Sequence, residues 1–200
     1  MVGHILSQKF GCLVTKFAKR LKEMAHGLYG LTNAVGNALE HSEFEHVKET
    51  PNERLMGLTP RECYIAVSER YLKPMHGEDI IGRMLLESLT KHDNWHTAVV
   101  TDSGFVDEAK VIVEHFGVEN IAVIRLHRDG CCFTNDSRGY IRLPGVQHFD
   151  VDNNGKLPDL TVAVANIAKA IGVAHEEAGY PTGQAAGEDS ERSEQDQVRS

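Results

Sequence analysis

A chain of 200 residues that is 41% hydrophobic can bury a core, and its length favours one domain. A formal net charge of −8 argues against a general basic field that would hold it on nucleic acid or an anionic membrane. No apolar run approaches the roughly 18 residues of a membrane helix, and the N-terminus carries no charged region followed by an apolar core and cleavage site, so a soluble, cytoplasmic protein without a membrane or nucleic-acid partner is expected.

In chain order, Val2 to Lys9 reads as the end of a helix and Cys12 to Lys16 as a short buried strand. Phe17 to Leu28 reads as an amphipathic helix, with Phe17, Leu21, Met24 and Leu28 at helical spacing. Thr59-Pro60-Arg61-Glu62 is a strong helix start: Thr59 can cap, Pro60 suits the first turn, and Glu62 completes a capping box. That helix should run to about Leu72, and a second from Glu78 to Lys91. The strand His96 to Thr101 ends in Asp102, and Phe105 to Phe116 is helical. Asn120 to Leu126 is a buried strand, followed by a polar segment from His127 to Leu143. A short strand near Gln147 to Val151 and a helix from Leu157 to Ile171 complete the folded part. From about Glu176 the composition turns to Gly, Glu, Ser, Gln and Asp, too poor in large apolar residues to offset the entropy of ordering, so 176–200 is expected to be a disordered tail behind a domain of residues 1–175.

Strands separated by helices of this length indicate an α/β protein with a mainly parallel sheet, whose ligands gather at the carboxyl ends of the strands. Asp102 stands at such an end. The four cysteines have no C-x-x-C spacing and suggest neither zinc nor a disulfide framework. His41 and His46 around Glu43 and Glu45 lack a third well-spaced ligand and read as an acidic loop or helix. No G-x-S-x-G elbow supports a serine hydrolase. Trp95 reads as packing.

Four stretches, taken in order, resemble the phage deoxynucleoside monophosphate kinase family of P-loop kinases: KFAKRLKEMAHGLYGL (Lys16 to Leu31), KETPNERLMGLTPRECYIAVSERYLKPMHGEDI (Lys48 to Ile80), VVTDSGFVDEA (Val99 to Ala109), and RLHRDGCCFTNDSRGYIRLP with DVDNNGKLPDL (Arg125 to Pro144, Asp150 to Leu160). The resemblance implies a three-layer P-loop kinase-like sheet with flanking helices. It implies phosphoryl transfer from ATP, with Mg²⁺, to a deoxynucleoside monophosphate, in the service of phage replication in the host cytoplasm. Phe17, Ala18 and Lys22 would line the monophosphate pocket, although the helix that carries Lys19, Arg20 and Lys22 also reads as a solvated basic face. Arg61, in the first turn of a capped helix, would hold the acceptor phosphate by a bidentate pair. Arg70 and Lys73 could reach the pocket or snorkel over it. Asp102 would orient Mg²⁺ through water, as a hard oxygen ligand. Many family members carry an Arg where Gly104 stands here. Arg128, Arg138 and Arg142, grouped with Arg125, Asp136, Ser137 and Tyr140, would be cations of a mobile lid at about 127–143, neutralising charge on the moving phosphoryl group. Asn153 and Asn154 would form a turn near the adenine side, a structural role in either case.

One departure outweighs the others: no G-x-x-x-x-G-K-[ST] occurs, nor any Gly-rich turn between a strand and a helix near the N-terminus. The first central strand of the sheet is therefore expected to be missing along with the loop that cradles the β- and γ-phosphates. Its neighbours would carry unpaired N–H and C=O groups, each costing on the order of 1–3 kcal/mol where buried and uncompensated. A start codon assigned too far downstream, a rearranged sheet, or a strand supplied by another subunit, as in a homodimer, would each account for this, and the first is the simplest. A catalytically dead relative that binds nucleotide or protein is the alternative function.

Overall fold

A computed structural model describes residues 1–31, 44, 46–91, 95–134 and 138–173 of the protein. The expected tail, His41, Glu43 and Glu45, and Asp136 and Ser137 of the polar segment lie outside these residues.

The elements follow the hydrophobic pattern closely. Helix α1 (Val2–Phe10) leads through Gly11 and Cys12 into strand β1 (Leu13–Thr15), and α2 (Lys19–Leu28) follows. Helix α3 (Pro60–Val67) starts at the expected capping box: the Glu62 N–H donates to Thr59 Oγ1 at 3.1 Å, and the Thr59 N–H donates to Glu62 Oε2 at 2.8 Å. Five π-helical residues (Ser68–Leu72) and a short final helix, α4 (Lys73–His76), extend it. Then come α5 (Ile80–Thr90), β2 (Ala98–Val100), α6 (Val106–Phe116), β3 (Ala122–His127), β4 (Gln147–Asp152) and α7 (Leu157–Ala170).

One apolar stripe differs from the expectation. In α2, Leu21 is buried as expected, as is Phe17 just ahead of the helix, but Met24 and Leu28 are exposed, and Ala25 and His26 take the inner face instead. His26 fills that face with a polar ring because Nε2 has a partner, the Tyr64 hydroxyl at 2.8 Å, and Phe44 packs against the ring. The four cysteines are free thiols, Cys12 and Cys63 buried and Cys131 and Cys132 exposed. Trp95 packs edge-on against Phe116 while its indole N–H donates to the Leu89 carbonyl.

The chain is a mixed α/β protein with two short parallel strand pairs. β1 pairs β2 with Leu13 opposite Ala98 and Thr15 opposite Val100. β3 pairs β4 with Ala122 opposite Gln147 and His127 opposite Asp152. Side chains of β2 and β3 alternate between the same two apolar clusters. Ala98 and Val100, with Ile121 just ahead of β3 and Val123 within it, pack against the cluster built on Leu21, Leu72, Leu85 and Ile112. Val99, Ile124 and Leu126 pack against the other, built on Leu6, Phe10, Leu160 and Val164. This alternation is the period-2 geometry of a strand whose two faces are both covered. Leu13 and Val14 of β1 belong to neither cluster and are exposed, which places β1 on the outside of its pair.

Candidate functional site

The carboxyl end of β2 gathers groups from five elements. Asp102 is not directed at solvent: one carboxylate oxygen accepts the Phe17 N–H at 2.7 Å and the other the Ala18 N–H at 3.1 Å. These are donors just ahead of α2 that the helix itself cannot pair, so the carboxylate ties the strand end to the helix start. Two residues on, Gly104 makes room for the polar segment. A Cβ there would lie 2.8 Å from both Cβ and Cγ of Arg138, and the Gly139 N–H donates to the Gly104 carbonyl at 3.1 Å. Glycine at this position thus lets the Arg138 side chain pack against the strand end.

Glu108, in the first turn of α6, is the group at this rim that the sequence reading passed over. It is only 5% exposed. Gly82 explains how it is held there, since a Cβ at Gly82 would lie 2.3 Å from the Glu108 carbonyl oxygen, and only glycine lets α5 approach the start of α6 this closely. Burial pushes the Glu108 carboxyl up to about 7; the Lys73 ammonium opposes the shift, while Asp102 and Glu69 add to it. Lys73 is itself held in place: its side chain is 9% exposed, Nζ lies 2.6 Å from Glu69 and 3.5 Å from Glu78, and it sits 4.9 Å above the Phe105 ring. The π segment carries Glu69 and Arg70 in this region, and π turns often occur at functional sites. No local residue pattern announces such a turn.

A second polar group closes the end of the β3–β4 pair. Arg125, which the sequence groups with the arginines of the polar segment, is an inward-facing strand residue, 6% exposed. Its Nε and Nη2 donate to the two oxygens of Asp150, its partner in register, at 2.9 and 2.5 Å. His127 Nε2 lies 2.6 Å from the same carboxylate, and these hydrogen bonds hold Asp150 below the usual carboxylate range. Tyr140 of the polar segment stacks against His127 and Phe133, and its hydroxyl donates to the Leu126 carbonyl at 2.6 Å. The Asn turn has a definite structural role: Asn154 Oδ1 accepts the Asp129 N–H at 2.8 Å, and the Asn153 N–H donates to the His127 carbonyl at 2.7 Å. It fixes the point where the polar segment leaves β3.

The remaining expected site residues are more dispersed. The Phe17 ring is core, and the backbone N–H groups of Phe17 and Ala18 are taken by Asp102. Lys22 Nζ lies 5.4 Å from the centre of the Tyr64 ring. Arg61 Nε donates to Glu49 Oε1 at 2.6 Å on the surface, and no described hydrogen bond or ion pair joins it to the arginines of the polar segment. Arg70, Arg128 and Arg142 are exposed. A shallow groove lined by Glu78, Asp79, Asp107, Lys110 and Glu114 is too acidic to attract phosphate. Among the described residues no group of three His, Cys, Asp or Glu is placed to hold a metal ion. Each Asp102 oxygen accepts one N–H and keeps a further lone pair. No helix among the described residues is long and apolar enough to cross a membrane. No known protein family, curated protein or solved structure matches this chain.

Proposed function

We propose that the two parallel pairs are halves of one P-loop kinase-like sheet, covered by helices on both faces, and that its carboxyl rim transfers the γ-phosphoryl of ATP to a deoxynucleoside monophosphate. Two observations support the sheet. β2 and β3 alternate between the same two clusters. The segment after β3 bonds to the residue after β2, through Gly139 and Gly104, as expected if both strands share a carboxyl rim. Ligands of open α/β sheets bind at such rims.

The observation that carries the functional reading is the seating of Arg138 on Gly104, two residues past Asp102. It packs the stem of Arg138 beside the strand end that carries the acid, and in this reading its guanidinium would serve phosphoryl transfer, which requires charge neutralisation and positioning rather than covalent work. Arg128 and Arg142, exposed in the same segment, would add to that charge as the lid closes. Magnesium would arrive with ATP and neutralise phosphate oxygens. For Arg61 to hold the acceptor phosphate, the phosphate must displace Glu49, a replacement of one anion by another at an exposed pair.

A binding-only protein is the second reading, favoured by the absence of any Gly-rich phosphate loop in the sequence. Titration calorimetry with each deoxynucleoside monophosphate, beside a coupled ADP-release assay, separates the two. Turnover by the 200-residue chain establishes the kinase, binding without turnover establishes the second reading, and absence of both rejects the pair. Arg138→Ala is expected to slow transfer much more than it weakens monophosphate binding; equal effects would remove Arg138 from the lid role.

A further inference from the structure

Two of the four thiols stand side by side on the surface. Cys131 and Cys132 are exposed, whereas Cys12 and Cys63 are buried. Their stretch is anchored at either end, by the Asp129 N–H on Asn154 Oδ1 and by the Tyr140 hydroxyl on the Leu126 carbonyl. Between these anchors the backbone turns through Gly130 at φ 75°, where a Cβ would meet nothing within 4 Å, and the Cys131 N–H donates to the Arg128 carbonyl at 3.0 Å. The pair is therefore carried on an open turn that small molecules can reach. The two sulfurs are not equivalent. Cys132 Sγ lies 3.0 Å from Thr134 Oγ1, and the Thr134 N–H also reaches that sulfur. The hydroxyl rotates to donate once the thiol ionises, and both contacts hold the Cys132 thiol below its ordinary range. Among the described residues no hydrogen bond of this kind reaches Cys131 Sγ.

We propose that Cys132 and Cys131 form a thiol–disulfide exchange site for low-molecular-weight disulfides, with Cys132 as the attacking sulfur and Cys131 as the resolving one; this does not rest on the phosphoryl-transfer reading. The Cys132 thiolate attacks one sulfur of a disulfide R–S–S–R, the S–S bond breaks, and one R–S⁻ leaves with the electron pair. Cys131 then loses its proton to water, attacks the Cys132 sulfur and expels the second R–S⁻. In sum the pair gives up two protons and two electrons, and the small disulfide is reduced to two thiols. Cys131 outcompetes thiols in solution because it is tethered one residue away. One trans peptide bond holds adjacent Cα atoms about 3.8 Å apart, short of the roughly 4.4–6.8 Å usual for a disulfide. The ring that closes is therefore strained and readily reduced again. This geometry suits a reversible modification rather than a structural cross-link.

The probe is dithiobis-nitrobenzoate, an aromatic disulfide whose released thiolate is coloured, added in equimolar amount to the dilute, reduced 200-residue chain at about pH 7. Each reagent molecule should release two coloured thiolates, and the chain should lose the mass of two hydrogens and keep no adduct. The change should map to the tryptic peptide 129–138, between the cleavage sites at Arg128 and Arg138, with Cys12 and Cys63 still thiols. Cys131→Ser should release one thiolate and retain the adduct on Cys132, and Cys132→Ser should react several-fold more slowly. Thr134→Val should slow the first release by about threefold to tenfold at about pH 7 and leave it unchanged at about pH 10, where a thiol ionises without help. Excess small thiol should restore the starting mass. The inference is overturned by a single thiolate per reagent with the adduct retained on the unaltered chain, by disulfide-linked pairs of chains, by reaction of Cys12 or Cys63 at the rate of the pair, or by a Thr134→Val rate equal to that of the unaltered chain at about pH 7.

Discussion

The Asp102 carboxylate serves two backbone N–H groups, so its removal is felt first as stability, whatever ligand the rim holds. Charge-assisted bonds of this kind contribute about 1.5–3 kcal/mol each, and the abandoned donors lie partly buried. Asp102→Ala should lower unfolding free energy by about 2–4 kcal/mol, and Asp102→Asn by roughly half as much, because the amide keeps one acceptor. Urea denaturation with an unchanged m-value checks both, and a loss under about 0.5 kcal/mol for the alanine variant would show that water replaces the carboxylate. Glu108 makes a prediction of the opposite sense. Its folded pKa of about 7 lies above the ordinary 4.5 of a glutamate, so between these values the folded state holds the extra proton. Its contribution is therefore best below pH 4.5 and is lost as pH rises to about 7, by up to about 3 kcal/mol. Glu108→Gln, uncharged at every pH, should leave stability unchanged near pH 4.5 and raise it at pH 8. Equal stabilities of the two proteins at pH 8 would mean that Lys73 already compensates the buried charge.

Among the elements, the start of α3 shows what a sequence can disclose. A capping box is chemistry among four consecutive residues, and Thr59 to Glu62 adopts it as written. Thr59→Ala should cost about 1 kcal/mol, measurable as a lower midpoint of thermal or urea unfolding. The strands, too, were legible to within three residues at either end, because apolar runs bounded by turns mark them. What was not legible depends on distance in space. Met24 and Leu28 have the right spacing for an apolar stripe, yet Ala25 and His26 are inside, since Tyr64 and Phe44 come from remote stretches to satisfy the histidine. Arg125 stands next to a polar segment in sequence, but its partner Asp150 is known only once β3 and β4 are in register. Gly104 stands out in the sequence only as a glycine after a strand end, and its use as a seat for Arg138 depends on a residue 34 positions away. That contact yields an element-scale test. The atoms a Cβ would strike include Arg138 Cβ, close to the backbone, so Gly104→Ala should push the segment away rather than merely turn a side chain. Limited trypsin digestion should then cut after Arg138 and Arg142 several-fold faster, by opening that segment. Unchanged cleavage would mean the segment is held mainly by the Tyr140 hydroxyl on Leu126.

At the scale of the whole molecule, the two clusters lie on opposite sides of the strands, and each is built from residues far apart in the chain. One joins Phe17 and Leu21 to Leu143 and Val146, and the other joins Leu6 and Phe10 to Leu160 and Val164. The second cluster joins residues on either side of the segment that builds the first, and Val99, Ile124 and Leu126 of that segment pack against it. Unfolding should therefore be cooperative, even though the strands fall into two pairs. Trp95, the single tryptophan, reports on the first cluster, against which it packs. Leu160→Ala, in the second cluster, removes a nearly fully buried side chain and should cost about 2–5 kcal/mol. If the strands couple the two layers, this remote substitution must shift the Trp95 fluorescence transition and the far-ultraviolet circular dichroism transition by the same amount of urea. Were the Trp95 transition to stay where it was while the helical signal moved, the two clusters would be separate cooperative units, and the pairs could not be halves of one sheet.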